Sequence, residues 1–227
     1  MDKVKVLIAT PMYGGMCTGH FMVGVLQTIN KMQSLGVQVY FVQMGNESLI
    51  TRARNELTRI FLEKDFDYLM FIDADIGFEP EHIFKLLLHD KELVGGLYPK
   101  KSLPIDYVVN VDPAVVGPNG EIPTYGDLIP VTRLGTGFMM IKRSVLTKMM
   151  AAYPDTHYIG NIGLDKKFDE FMYALFDTHI TKDLEYNSED WTFCDRWRAI
   201  GGEIWGDITI KLDHTGHFRY PGDPDKL

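Results

Sequence analysis

Short solid runs of apolar residues alternate along this chain with stretches in which apolar residues recur every three or four positions. Residues 4–9 form the first run, broken only by Lys5, and predict a strand. Val25, Ile29 and Met32 then fall on one face of a predicted helix over 21–32, which Gly36 stops. Residues 37–43 predict a second strand. A turn at 45–48 offers Ser48 as N-cap, and Leu49, Ala53, Leu57 and Ile60 stripe the next helix. Residues 68–72 are apolar throughout and rich in β-formers, which predicts a buried strand. Glu79-Pro80-Glu81 opens a third helix with Ile83, Phe84, Leu87 and Leu88 on its buried face. Residues 93–99 predict a fourth strand, loosened by Gly95 and Gly96. This strict alternation predicts an α/β fold in three layers, helices on both faces of a mostly parallel central sheet.

The pattern then changes. Residues 101–134 contain Pro104, Pro113, Pro118, Pro123 and Pro130, with a turn at Pro118-Asn119-Gly120 between short strands such as 107–111. This predicts a small antiparallel excursion within one domain of residues 1–227. A glycine-kinked strand over 134–141 follows, then a short helix to residue 150 capped by Ser144. The glycines of Gly135-Thr136-Gly137 read equally as a bulge or as backbone that meets a sugar. Residues 153–187 are irregular and aromatic; such a loop suits a lid, and its rings can stack on sugars or pack the loop down. Ser188 opens a helix carrying Trp191, Cys194 and Trp197, which Gly201-Gly202 ends. Residues 208–212 predict the last strand, and the tail from 221 reads as frayed or an arm.

Composition narrows the functional classes. The formal net charge of −8 argues against a broad duplex-DNA footprint, so nucleic acid is not the expected partner. No apolar run reaches the roughly 18–20 residues of a membrane span, and residues 1–4 lack a signal-peptide layout. Cys17 and Cys194 have neither metal spacing nor a disulfide framework. A reducing, cytoplasmic setting is the expectation.

Four clusters carry candidate chemistry. Asp73 and Asp75 flank Ala74 at the end of the 68–72 run, just before a helix, where open α/β sheets bind ligands. Two carboxylates there suit a hard divalent cation with positions left for phosphate oxygens; a solvated turn capping the next helix is the plain alternative. Arg52 and Arg54 sit in early helical turns, where the dipole disfavours cations. They want an anion: Glu47, Glu56, Glu63 or a nucleotide phosphate. Glu189 and Asp190 open the late helix, as caps or as an acid–base pair. His214 and His217 follow the last strand, as surface histidines or as metal ligands.

Taken in order, Thr10-Pro11-Met12-Tyr13, Ala53-Arg54-Asn55, Asp73-Ala74-Asp75, Gly135-Thr136-Gly137-Phe138, Ser188-Glu189-Asp190-Trp191 and Asp213-His214 resemble the nucleotide-sugar glycosyltransferases of the GT-A fold. The likeness is to family-2-like members and small viral or phage enzymes, and it covers nearly the whole chain. The resemblance implies a metal-dependent transferase moving a sugar from a UDP-, GDP- or dTDP-sugar to a glycan or glycoprotein hydroxyl. It implies a nucleotide-sugar half over 1–100 and an acceptor half over 101–220. Thr10, Pro11, Tyr13, Arg52 and Arg54 would lie near the nucleotide. Asp73 and Asp75 would hold ribose and a divalent metal, Mn²⁺ or Mg²⁺, with His214 completing the metal shell. Gly137 and its neighbours would border the donor sugar or the acceptor. Asp190 would be the base of an inverting reaction, with Glu189 beside it. The family's acid at the end of the second strand has no clear counterpart; Gln43, Asn46 or Glu47 stands there. The late histidine is closer to retaining members. Two other readings compete: a nucleotidyltransferase acting on sugar phosphates, and a non-catalytic carbohydrate-binding protein. The first would need a basic residue in the glycine loop after strand one, and residues 12–18 carry none.

Overall fold

The computed structural model describes residues 3–160 and 166–223. Its elements run β1 (Lys5–Met12), α1 (Gly19–Ser34), β2 (Gln38–Gly45), α2 (Ile50–Glu63), β3 (Tyr68–Ile72), β4 (Ile76–Gly77), α3 (Pro80–His89) and β5 (Leu93–Gly96). They continue with β6 (Val109–Asn110), β7 (Leu128–Val131), β8 (Arg133–Leu134), β9 (Phe138–Lys142) and α4 (Arg143–Ala152). The chain ends with β10 (His179–Ile180), β11 (Tyr186–Asn187), α5 (Glu189–Ala199), β12 (Ile204–Asp207), β13 (Asp213–Thr215) and β14 (Arg219–Pro221).

Seven strands form the central sheet in the order β2-β1-β3-β9-β5-β12-β7. β2, β1, β3, β5 and β12 share one direction, while β9 and β7 oppose it. Period-two alternation sends each strand's side chains into two cores. Leu7, Ala9, Leu69, Phe71, Met139 and Ile141 meet α2, α4 and α5 on one face. Val6, Ile8, Met70, Ile72, Phe138 and Met140 meet α1 and α3 on the other. The expected three layers are present, with small antiparallel sheets beside them, β14-β13-β4, β10-β11 and β6-β8.

Several boundaries differ from the pattern reading. Thr10 and Pro11 lie inside β1, because the strand pairs with β2 as far as Met12. α2 is buried on nearly every side, Arg54, Asn55, Glu56, Thr58 and Arg59 included, so its apolar stripe understates its burial. Ser48 and Ser144 do not cap their helices; the N-cap positions fall on Leu49 and Lys142, without side-chain bonds. The last strand of the central sheet is Ile204–Asp207, not residues 208–212. Asp207 Oδ1 accepts the N–H groups of Thr209 (2.7 Å) and Ile210 (3.1 Å), and this Asx turn breaks the ladder. The aromatic loop is packed down: Phe176 stacks on Phe193 with centroids 4.2 Å apart and meets Phe71 edge-on. Residues 161–165 of that loop and 224–227 of the tail lie outside the described residues. Among the described residues no helix is long and apolar enough to cross a membrane.

Candidate functional site

β3 delivers Asp73, Ala74 and Asp75 to the carboxyl edge of the sheet, and three other segments pin their backbone there. The Asp73 N–H donates to the Gly137 carbonyl (3.0 Å), the Thr18 N–H to that of Ala74 (2.9 Å), and the Thr215 N–H to that of Asp75 (2.9 Å). Beside them lies a cavity of about 640 Å³. Pro11, Tyr13, Arg54, Asp73, Ala74, Asp75, Glu189 and Asp190 all line it, so two acid pairs over a hundred residues apart in sequence share one space. Met16, Cys17, Thr18, Glu47, Ser48, Ile50, Tyr98 and Thr136 complete the wall.

Arg54 joins the two acid pairs. Its Nη2 donates to Asp73 Oδ1 (3.0 Å) and Oδ2 (3.3 Å), and its Nε donates to Glu189 Oε1 (3.1 Å). The guanidinium lies over the Phe71 ring, 5.3 Å from its centroid. Burial alone would lower its pKa, but the two carboxylates outweigh that and raise it. The sequence shows no dedicated partner for this cation; the fold supplies two. Its Nη1 is buried without a hydrogen-bond partner among the described residues.

Arg52 is not among the residues lining the cavity, and it pairs with Glu47, which is. Its Nε and Nη2 donate to the two oxygens of Glu47 (2.7 and 2.8 Å). That bidentate pair, with the Leu49 N–H, holds the Glu47 carboxyl below its usual range. Thr10 is fully buried in β1 and does not line the cavity; its hydroxyl has no partner among the described residues.

Asp75 and His214 face each other across the β4–β13 pair, where Ile76 and His214 are in register. His214 Nδ1 lies 2.7 Å from the Pro99 carbonyl oxygen, so Nδ1 carries the proton and donates it. The other ring nitrogen, Nε2, lies 3.5 Å from Asp75 Oδ1. Lys101 pairs with the other oxygen, Oδ2. Burial works to raise the Asp75 pKa, but the bonds from His214 and Lys101 overcome it and hold the carboxyl below its usual value. Asp73 instead spends both oxygens on Arg54. Among the described residues no three His, Cys, Asp or Glu side chains gather around one point.

Asp190 lies in the first turn of α5. Its Oδ1 accepts the Ser188 hydroxyl and the Trp191 N–H (2.8 Å). Ser188 holds the N-cap position, yet its hydroxyl serves Asp190 rather than the helix. The helix dipole favours the ionised carboxylate at this position. Burial and the neighbouring charge of Glu189 win instead, against Ser188 and Arg54, and its pKa is raised.

Gly137 is not among the residues lining the cavity, though its neighbour Thr136 is. A Cβ at Gly135 or Gly137 would strike the Tyr98 phenol, at 2.1 Å from Oη and 2.7 Å from Cζ respectively. The glycines therefore leave room for Tyr98, and Thr136 between them lines the cavity. The Gly137 N–H donates to Tyr98 Oη (3.1 Å). Burial, with the charges of Asp73 and Asp190, raises the Tyr98 pKa well above the usual phenol value. Tyr98 and Lys101 went unnoticed in the sequence. The signal for them was Tyr98-Pro99-Lys100-Lys101 itself, a basic pair just beyond a strand end.

No protein-family model and no curated protein matches the sequence. Among solved structures, the chain is similar to a glycosyltransferase involved in the glycosylation of the major capsid of PBCV-1, at 10% identity and TM-score 0.34 over 66% of this chain and 66% of that one. It is similar to a UDP-glucose pyrophosphorylase complexed with UDP-glucose, at 8% identity and TM-score 0.46 over 93% and 92% of the two chains. It is also similar to S. aureus TarS 1–349, at 10% identity and TM-score 0.35, over 74% of this chain and 54% of that one. These likenesses are distant.

Proposed function

We propose that the chain is a GT-A-type glycosyltransferase that moves a sugar from a nucleoside-diphosphate sugar to a hydroxyl of a glycan or glycoprotein, with a divalent metal, Mn²⁺ or Mg²⁺. The carrying observation is that the strand-end acids and the late-helix acids line one cavity, bridged by Arg54. Residues 1–100 supply the nucleotide side of this arrangement, with Pro11 and Tyr13 in the cavity lining. Residues 101–220 supply the acceptor side.

Asp75 and His214 are the residues that would hold the metal. The fit rests on their chemistry: an Asp75 carboxylate oxygen, the donor type that Mn²⁺ and Mg²⁺ prefer, lies 3.5 Å from the Nε2 nitrogen of His214. With two protein ligands, the remaining positions suit donor phosphates and water. A metal held there would stabilise negative charge developing on the leaving diphosphate. Asp73, held by Arg54, is a wall of the site and a candidate for the ribose hydroxyls.

Asp190 takes the proton of the acceptor hydroxyl. Its raised pKa brings it nearer the neutral range in which a carboxylate base works best. Ser188 and the Trp191 N–H fix the carboxyl by one oxygen, Oδ1. Glu189, tied to Arg54, positions the first turn of α5 and does not compete for the same proton. The sugar is expected to leave with inverted configuration.

The test is a screen of UDP-, GDP- and dTDP-sugars with Mn²⁺ and a panel of glycan acceptors, reading released nucleoside diphosphate. One donor class should turn over, with an inverted product anomer by NMR. Failure of every donor to bind or turn over would remove the reading. A retained anomer would remove the role of Asp190.

A further inference from the structure

Asp75 has a contact that the mechanism above leaves unused. Lys101 lies beyond β5, past Tyr98 and Pro99, and turns its ammonium back onto Asp75 Oδ2. Its path is shaped by the opposite ribbon. A Cβ at Gly216, just past β13, would stand 3.0 Å from Lys101 Cδ and 3.4 Å from Cγ. The missing side chain thus leaves room for the lysine stem. The same ribbon carries His214, whose Nε2 lies 3.5 Å from the other oxygen of Asp75. The carboxylate is divided between an imidazole nitrogen and a fixed cation.

A divalent cation on Asp75 and His214 would sit beside that ammonium, and like charges at such range in a half-buried site repel. The donor meanwhile brings a diphosphate, an anion that a lysine meets well as a point charge. We infer that Lys101 has two successive partners: Asp75 before metal and donor bind, and the donor's diphosphate afterwards. This rests on the reading of the cavity as a metal and nucleotide-sugar site. It adds a residue to that site and a coupling between its ligands. Metal alone must displace Lys101 and leave it without an anion, whereas metal with diphosphate gives it a new one. Each ligand therefore raises the affinity of the other, and Lys101 carries part of that coupling.

The experiment uses the full chain as wild type, Lys101→Met and Lys101→Arg. Mn²⁺ alone is titrated by the EPR signal of the free ion, and inorganic pyrophosphate is then titrated by calorimetry at saturating Mn²⁺. Lys101→Met should bind Mn²⁺ alone about three- to fivefold more tightly, the scale of a partly exposed ion pair. It should bind pyrophosphate more weakly by a similar factor, while Lys101→Arg stays near wild type in both. Melting temperatures within a degree or two of wild type, read by circular dichroism, would exclude misfolding. Wild-type values in Lys101→Met for both ligands would overturn the inference and leave the nucleotide-sugar reading standing. A wild-type chain that binds neither Mn²⁺ nor Mn²⁺–pyrophosphate would overturn both.

Discussion

At the scale of single residues, burial decides what each charge does. Arg54 is a cation held between Asp73 and Glu189, and its removal leaves two half-buried carboxylates facing each other. Arg54→Ala should therefore cost about 3–5 kcal/mol of stability, read by urea denaturation, as expected for one partner lost from a buried pair. Unchanged stability with only a raised donor KM would instead make it a ligand-binding cation. Asp190 runs the opposite way. Because burial raises its pKa above the ordinary 3.8, the protonated form fits the fold better. The stability it contributes is complete below 3.8 and is lost as pH rises through the raised value. Asp190→Asn stays neutral and keeps an oxygen for Ser188 and Trp191. It should raise Tm at pH 7, with the gain vanishing in acid, while transfer falls by about 10²–10⁴-fold. A lowered Tm at pH 7 would contradict the burial argument. The two acid pairs were legible in the sequence because acids directly after an apolar run, or opening a helix, stand out locally. Their joining through Arg54 was not, since the partners lie 19 and 135 residues away.

At the scale of elements, the alternating half of the fold was readable because each element there packs on its sequence neighbour. β9 was not readable as the strand that enters antiparallel between β3 and β5, because its partners lie far back in the chain. Its insertion brings Gly135-Thr136-Gly137 against Asp73. The aromatic loop is another case where composition could not decide. Asn55 clips it to α2: its Nδ2 donates to the Phe176 carbonyl (2.8 Å), and its Oδ1 accepts the Phe176 N–H (2.9 Å). Asn55→Ala strands two buried backbone groups and should cost about 2–4 kcal/mol. Hydrogen exchange should then rise at Phe176 before it rises in the sheet. Equal protection in both proteins would show that the ring stacking on Phe193 holds the loop without the clip.

At the scale of the whole molecule, one sheet carries strands from both halves of the chain, and its carboxyl edge gathers the candidate chemistry. A net charge of −8 works against the anionic donor proposed above. Arg54 answers two of the cavity's carboxylates and Lys101 a third, which leaves a place for further positive charge from a metal. His214→Ala should accordingly weaken Mn²⁺ binding about tenfold or more without unfolding the chain. The claim beneath all of this is that the cavity binds a nucleotide-sugar through a metal on Asp75. Calorimetric titration of UDP-, GDP- and dTDP-glucose into wild type and Asp75→Asn, with and without Mn²⁺, tests it most directly. One donor should bind wild type only when Mn²⁺ is present, and Asp75→Asn should lose that binding while keeping its fold. Equal affinity with and without Mn²⁺, or undiminished binding in Asp75→Asn, would contradict it.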